Sequence, residues 1–418
     1  MLHQLKLSKI EFIGYILVML SFFLPIKWNA LSLVTLGIIV LIKILKKEHN
    51  FKNYQGLIIY PIFFGYLVIG LLYTENLKMG FSLLERNLSL LFAPIITIGV
   101  QQFSTKQRKL LFHVFITAST IAGLSCLGIA SLYYLQNGTI HNLDQSDHFI
   151  YNHFMHQLLS EPIKMHAIYF SFYLAFANLV ILNQFIQFKK SLTLSKKTIY
   201  LLVFSFNCVM LYLLKSSNFA FFFPLACIFL FVYHNRTALV ASKKTQLIFI
   251  LLFSIATVFM YKGVMTKIEN FSMTYELSDN QFSPIKMRLA MWECTWSVIS
   301  ENLYFGTGTG DGHDELIKSY TTHNFHVGLD DSFNSHNMYL QFWMSNGIPG
   351  LLLFISILLM LMIKALKEKN MVFLLFIVLF ACFSITEATM LTQRGIVFFL
   401  FFSSVFYWSP NFWNQEVK

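Results

Sequence analysis

The chain has 418 residues, of which 56% are hydrophobic, 17% aromatic and only 12% charged, and its mean hydropathy is +0.60. Soluble domains carry roughly 25% charged residues, and no water-soluble core of this size absorbs 46 phenylalanines. The composition therefore predicts an integral membrane protein. The five cysteines form no CxxC pair, so we expect neither a disulfide framework nor a zinc site.

Apolar runs follow one another along the whole chain. A transmembrane helix needs about 20 apolar residues, and these runs are continuous, which favours helices over alternating strands. No small-residue cleavage site follows the first run, so we interpret it as a retained span. We predict an all-α polytopic membrane protein with about twelve transmembrane helices. Their centres lie near residues 18, 36, 64, 95, 123, 176, 206, 227, 254, 356, 378 and 402.

The net charge of +11 is distributed unevenly between alternate loops. If both termini are cytoplasmic, the short inner segments hold most of the 31 Lys and Arg residues, and the outer segments hold most of the acids. This is the positive-inside pattern of membrane proteins. The basic charge thus indicates topology, and we expect membrane lipids but no nucleic acid among the partners.

Two polar segments, 137–165 and 263–346, are longer than the other loops, and both fall on the outer side in this topology. Loops longer than about 15 residues are uncommon without a purpose. We therefore predict a single transmembrane domain over 1–418. Residues 263–346 form its outer cap of short helices, inserted between the ninth and tenth spans.

The cap begins with a segment of helical character in which Arg288 and Trp292 share a face. One interpretation is an interfacial helix anchored by tryptophan. The other makes Arg288 a ligand for an anionic head group, to which a forked guanidinium is suited. The spacing leaves both open.

The stretch GTGTGDG follows, with Gly306, Gly308 and Gly310 alternating with polar residues. Alternating glycines expose successive N–H groups to a phosphate, but the same pattern is also that of a plain turn. No Lys-Ser/Thr follows, so a nucleotide loop is not predicted.

His336 and Asn337 end the cap just before the tenth span. A histidine needs little perturbation to act as a base near neutral pH, so His336 is a candidate general base. Alternatively, the two residues only cap the following helix. Four cap histidines lie within 24 residues, but no HxxxH or HExxH spacing occurs, and we expect no metal and no cofactor. These are His313, His323, His326 and His336.

Ionisable residues also occur at the outer ends of spans, where charge is costly unless it has a function. Snorkelling to the interface explains each of them singly. Together the cations on this face suggest a pocket for a lipid phosphate. The ionisable residues in question are the cations Arg86, Lys215 and Arg394 and the acid Glu387.

These motifs resemble, in order, those of the O-antigen ligase and O-antigen polymerase superfamily. The matching features are Arg288 with Trp292, the GTGTGD stretch, and SHNMYLQFWMSNGIPG at 335–350, in which Gly-x-x-Gly opens a span. HAIYFSFYLAFANLVIL, beginning at His166, and LLERNLSLLFAPI, containing Arg86, resemble spans typical of these proteins.

The resemblance implies a metal-independent glycosyltransferase of the bacterial inner membrane, in a Gram-negative envelope. Its donor would be a glycan on undecaprenyl diphosphate, and its acceptor lipid A-core or another glycan. His336 would deprotonate the acceptor hydroxyl, and Arg288 would bind the diphosphate and stabilise the leaving group. The expected substrate-binding residues are Gly306, Gly308, Gly310, Asn337, Arg86, Lys215, Arg394 and His166.

One position departs from the family pattern. Family members often carry Ser-Arg where this chain has Ser217 and Asn218. That arginine is usually counted among the phosphate-binding cations. Lys215 would replace it as a point charge without the fork, or Arg86 or Arg394 would supply the charge.

Three related activities fit these residues: a glycan ligase, a repeat-unit polymerase and a protein-glycosylating oligosaccharyltransferase. All need a diphosphate pocket and a base, so the sequence does not separate them. A transporter is the alternative from another class. Transporters, however, place ionisable residues at mid-membrane, often in two matching halves, and this chain places them at span ends.

Overall fold

The computed structural model describes residues 2–49, 54–140, 152–189, 191–243, 246–247, 276–278 and 283–409. Within these ranges the chain forms helices and no strand. The prediction of an all-α membrane protein is confirmed. The predicted span near residue 254 lies outside the described residues, as do 263–275 and 279–282 of the predicted cap.

The helices alternate with short turns. The first half of the chain contains α1 (Leu2–Ser21), α2 (Ile26–Leu45), α3 (Ile59–Ile69), α4 (Leu77–Asn87), α5 (Ser89–Ile96), α6 (Thr105–Asn137), α7 (His156–Ser160), α8 (Ala167–Phe188) and α9 (Leu194–Leu213). The second half contains α10 (Ser217–Ala241), α11 (Pro284–Glu301), α12 (Gly312–Thr322), α13 (His326–Asp330), α14 (Met338–Lys367), α15 (Met371–Thr386) and α16 (Gln393–Trp408). Short 3-10 helices cover Tyr54–Ile58, Gly70–Tyr73, Ile98–Gln102, Glu161–Ile163 and Thr389–Leu391.

Eight helical segments of the described residues are long and apolar enough to cross a membrane. They are Ile26–Leu45, Gly56–Tyr73, Leu77–Gln102, Thr105–Asn137, Ala167–Phe188, Leu194–Leu213, Ser217–Thr237 and Met338–Lys367. The predicted centres near 18, 378 and 402 lie in α1, α15 and α16, which fall short of that length or apolarity. The count of twelve therefore stays a prediction.

Helix α8 lies in the interior of the bundle, with most of its residues buried. Its aromatic side chains pack against those of the α1–α2 turn, α6, α15 and α16; for example, the Tyr173 and Phe398 rings stack with centroids 3.8 Å apart. Lipid tails are as apolar as these side chains, so close van der Waals packing and aromatic contacts stabilise the bundle, not exclusion of water.

The cap residues have a hydrophobic cluster of their own. Residues of α11 and α12 pack together with Phe325 and with Met344 from α14. The indole N–H of Trp343 also donates to the Leu303 carbonyl at 3.2 Å. These contacts hold α11, which carries Arg288, against the first part of α14, which His336 precedes by two residues.

A buried ionic cluster ties α1 to α2 at one end of the bundle, which we call the basal end. Lys43 Nζ lies 2.6 Å from one oxygen of Glu11, and His49 Nε2 lies 2.9 Å from the other. Gln102 contacts both Lys43 and His49, so every member has a partner. A buried charge is tolerated only when it is paired and hydrogen-bonded in this way.

We expect Glu11→Gln to destabilise the protein strongly, because it leaves Lys43 buried without a counter-charge. The cost of breaking a buried pair in this way is about 3–5 kcal/mol. Thermal unfolding of the detergent-solubilised protein measures the loss. Glu85→Gln, at an exposed position of α4, serves as the control, and an equal melting temperature for the two variants would contradict the assignment.

Candidate active site

The two predicted catalytic residues contact the same carboxylate. Arg288 Nη2 lies 3.3 Å from one oxygen of Glu387, and His336 Nδ1 lies 3.2 Å from the other. The Glu387 side chain is about nine-tenths buried, whereas those of Arg288 and His336 are 28% and 27% exposed. Three segments far apart in the chain thus bring a guanidinium, an imidazole and a carboxylate together at the end of the bundle opposite the basal end.

Glu387 is the residue that follows α15, and its backbone is extended. The helix ends here because the chain turns at once into the 3-10 helix Thr389–Leu391, where the Thr389 hydroxyl bonds Ser384 at 2.8 Å. The carbonyl of the last helical residue, Thr386, accepts from Arg288 Nε at 3.4 Å. The end of α15 therefore offers Arg288 both a carbonyl and a carboxylate.

His336 is held by its two neighbours. The buried Ser335 hydroxyl donates to the Asn337 carbonyl and to Gln341, and the Asn337 side chain caps α14 by accepting from the N–H groups of Tyr339 and Leu340. His336 itself has a left-handed backbone, with φ of 43°. Such a conformation costs a β-carbon-bearing residue about 1–3 kcal/mol and persists only where the surroundings impose it.

Arg288 lies in the first turns of α11. Ser283 caps this helix by accepting from Lys286 N–H, and Pro284 occupies the first helical position, where its missing N–H is harmless. A third bond from the guanidinium reaches the Pro284 carbonyl at 3.2 Å. Helix α11 thus directs the Arg288 guanidinium towards Glu387 and leaves it partly exposed.

Two more histidines and a lysine lie beside this group. Burial lowers the pKa of His166; of the nearby charges, Glu387 raises it while His156 and His336 lower it further. Burial also lowers the pKa of His156, and the charge of Lys215 adds to that effect. Both residues are exposed, so each ring is accessible to a ligand.

The left-handed conformation recurs in this cluster. His156 and Lys215 have φ of 52° and 50°, close to the value at His336. Residues held in such sparsely populated backbone regions concentrate at functional sites. Lys47 and Lys369, which follow α2 and α14 at other places in the bundle, share this conformation, so the backbone alone does not mark the site.

Asn218, the position that departs from the family pattern, also points to this group. Its amide donates to the Thr386 hydroxyl, one residue before Glu387. Lys215 lies in the turn just before α10, on which Asn218 is the second residue. An arginine at 218 would therefore start from a backbone position adjacent to the Arg288–Glu387 pair.

The N–H groups of the glycine loop, which we expected to bind a phosphate, are bonded within the protein. The N–H groups of Gly306, Gly308 and Gly310 donate to Asn302, Ser345 and Thr74 within the protein. A β-carbon on Gly306 would come within 2.6 Å of the α14 backbone, so the loop packs main chain to main chain. A phosphate cradle needs N–H groups that are not already bonded. The loop instead fixes α14 at Gly347, whose φ of 64° breaks the helix.

Asp311 closes the same loop. Its carboxylate accepts from the backbone N–H groups of Glu75 and Asn76 at 2.8 and 2.7 Å, which joins the cap to the start of α4. Asp311, the acid within the glycine stretch, therefore serves as a hydrogen-bond acceptor for backbone N–H groups.

The remaining predicted cations are not brought to Glu387. The guanidinium of Arg394 is buried and donates to the carbonyls of Phe22 and Leu24, both at 2.7 Å, so it ties α16 to the α1–α2 turn. Arg86 is exposed and makes two long contacts, to Ser82 and to the Leu391 carbonyl. Asn337 is the helix cap described above.

Among the described residues, no group of three or more His, Cys, Asp or Glu side chains is arranged to hold a metal ion. Among the other cap histidines, His323, just after α12, bonds back to Ser319.

A protein-family model described as O-Antigen ligase matches residues 200–355. The resemblance to the O-antigen ligase superfamily is confirmed. The matched segment contains Lys215, Arg288, the glycine loop and His336. No curated protein matches the chain.

Two members of the cluster, Glu387 and His156, were not predicted as site residues of this O-antigen ligase-like chain, and both lie outside the matched segment. Glu387 had a signal: it is an acid at the end of an apolar run. His156 belongs to the long polar segment 137–165, which contains four histidines. Neither signal by itself points to Arg288 or His336.

Asp311→Ala is expected to loosen the cap, because it leaves two backbone N–H groups without their acceptor. Each unsatisfied group costs about 1–3 kcal/mol. Limited proteolysis of the purified protein between α11 and α14 should become faster. Asp330→Ala, which removes an exposed acid, should leave the cleavage rate unchanged; similar rates for both variants would refute the bracing role of Asp311.

Proposed function

We propose that the protein transfers a glycan from undecaprenyl diphosphate to an acceptor hydroxyl, on the outer side of the bacterial inner membrane. The convergence of Arg288 and His336 on Glu387 carries this proposal. Displacement at an anomeric carbon needs a more basic nucleophile and compensation of the charge that grows on the leaving group. An imidazole and a guanidinium held together supply both.

In this reaction the acceptor oxygen forms a bond to the anomeric carbon, and the bond from that carbon to the diphosphate oxygen breaks. The electron pair leaves with the lipid diphosphate. Nδ1 of His336 lies 3.2 Å from a Glu387 oxygen, and a carboxylate there favours the tautomer with its proton on Nδ1, so Nε2 carries the lone pair that takes the acceptor proton. Arg288 binds the diphosphate, and Lys215, His156 and His166 line the same group.

The arrangement of charges supports the proposed sidedness. The basic residues Lys43, Arg108 and Lys364 lie towards the basal end, where they contact Glu11, Ser409 and Tyr407. Glu387 and its partners lie at the opposite end. The positive-inside rule then assigns the basal end to the cytoplasm and the cluster to the periplasm, where lipid-linked glycans are donors.

The identity of the acceptor distinguishes a ligase from a polymerase. In a strain lacking the gene, lipid A-core without glycan, together with full-length lipid-linked chains, would identify a ligase. Core carrying a single repeat would identify a polymerase. Glycan transfer by the purified protein in liposomes, from a lipid-linked donor, tests the shared reaction.

His336→Ala should lower the transfer rate by about 10²- to 10⁴-fold, the contribution of a general base. Arg288→Lys keeps the charge but loses the fork, and we expect about a 10²-fold loss. His326→Ala, which removes an exposed histidine of the same cap, is the matched control. Transfer at the normal rate by the His336 variant, with correct membrane insertion, would remove the proposed mechanism.

Lys215→Ala should raise the donor KM about fivefold, the effect of ~1 kcal/mol for one cation near an anionic lipid group. Adding Asn218→Arg to that variant should restore the KM, because the new guanidinium starts beside Thr386. Lys318→Ala, whose charge pairs with Glu315 in the cap, controls for lost positive charge. A donor KM unaffected by Lys215→Ala would exclude this lysine from the donor site.

A further inference from the structure

The basal cluster and the Glu387 cluster, both within the described residues, differ in a way that separates a structural role from a functional one. In the basal cluster, Glu11 is fully buried and its contacts are 2.6 and 2.9 Å long. Glu387 makes contacts of 3.3 and 3.2 Å to side chains that are more than a quarter exposed. Tight charge-assisted hydrogen bonds measure about 2.7–2.9 Å. The Glu387 contacts are therefore loose enough to exchange partners.

Glu387 divides its two oxygens between its partners. One oxygen faces Arg288 and the other faces His336, so neither partner has to leave for the other to stay. Arg288 has further acceptors in the carbonyls of Thr386 and Pro284, at 3.4 and 3.2 Å. A diphosphate arriving at Arg288 offers more negative charge than one carboxylate, and its oxygens suit the guanidinium fork.

We infer that Glu387 is a positioning residue that holds Arg288 until the donor binds and then serves His336 alone. This inference rests on the proposed function. Without donor, Glu387 neutralises Arg288. When the diphosphate draws Arg288 away, the undivided negative charge of Glu387 stabilises the imidazolium that forms as Nε2 takes the acceptor proton. The base is thereby strengthened only when a donor is present.

We expect Glu387→Gln to change donor binding and the rate of glycan transfer in opposite directions. Glu387→Gln removes the charge that competes with the diphosphate for Arg288, so donor binding becomes tighter. The same change removes the carboxylate that orients His336, and an amide donating to Nδ1 would place the ring proton on Nε2. A general structural defect would weaken binding and slow transfer together.

The test uses the full-length protein in detergent, with undecaprenyl diphosphate as the binding probe and glycan transfer as the rate. For Glu387→Gln we expect binding about two- to tenfold tighter and transfer about 10²- to 10⁴-fold slower. In an Arg288→Ala background, Glu387→Gln should no longer tighten binding. Glu387→Asp, which retains the charge, should recover part of the rate.

Glu161→Gln removes an acid that bonds to neither Arg288 nor His336, and it controls for general loss of negative charge. Its binding and rate should stay within about twofold of the wild type. The inference would be overturned if Glu387→Gln weakened the binding of undecaprenyl diphosphate. It would also be overturned if the substitution tightened that binding equally in the wild-type and Arg288→Ala backgrounds. The proposed function fails separately, if His336→Ala transfers glycan at the normal rate.

Other charged groups face His336 and enter the same balance. His166 is close enough for its charge to interact with those of His336 and Glu387, and it interacts in turn with His156, beside Lys215. Of these groups, Glu387 is the one in direct contact with His336, through Nδ1.

Discussion

A carboxylate at the end of an apolar helix requires cationic partners, because burying an unpaired charge costs several kcal/mol. Helix α15 is sixteen residues of largely apolar sequence, and Glu387 follows it directly. The partners of Glu387 are Arg288, from the cap, and His336, two residues before α14. The requirement to pair Glu387 therefore brings together the two groups that the proposed glycan transfer needs.

Several contacts elsewhere in the fold keep Arg288 and His336 next to Glu387. The cap cluster holds α11 on α14, and the glycine loop locks the break at Gly347. Arg394, although it lies near the same end, bonds to backbone carbonyls and joins α16 to the turn between α1 and α2. The cations of the protein thus divide into those that hold segments together and those whose charge remains open to a ligand. Exposure and contact length distinguish the two groups better than sequence position does.

Hydropathy predicted the helical membrane architecture because an apolar run of spanning length is a local property of the sequence. The order of the motifs likewise predicted Arg288 and His336 as one site. Glu387 was missed because its partnership depends on how α15 ends relative to α14. The glycines were assigned to phosphate because their spacing says nothing of Asn302, Ser345 or Thr74, which accept from their N–H groups. Contacts between distant segments decide such roles, and one sequence does not contain them.

If Arg288 exchanges Glu387 for the donor diphosphate while His336 keeps its contact, a structure of the protein bound to undecaprenyl diphosphate will show it. We expect phosphate oxygens within hydrogen-bond distance of the Arg288 guanidinium, a broken contact from Arg288 to Glu387, and a preserved contact from His336 to Glu387. A diphosphate bound at the basal end, or one bound with Arg288 still on Glu387 and out of reach of phosphate, would contradict it.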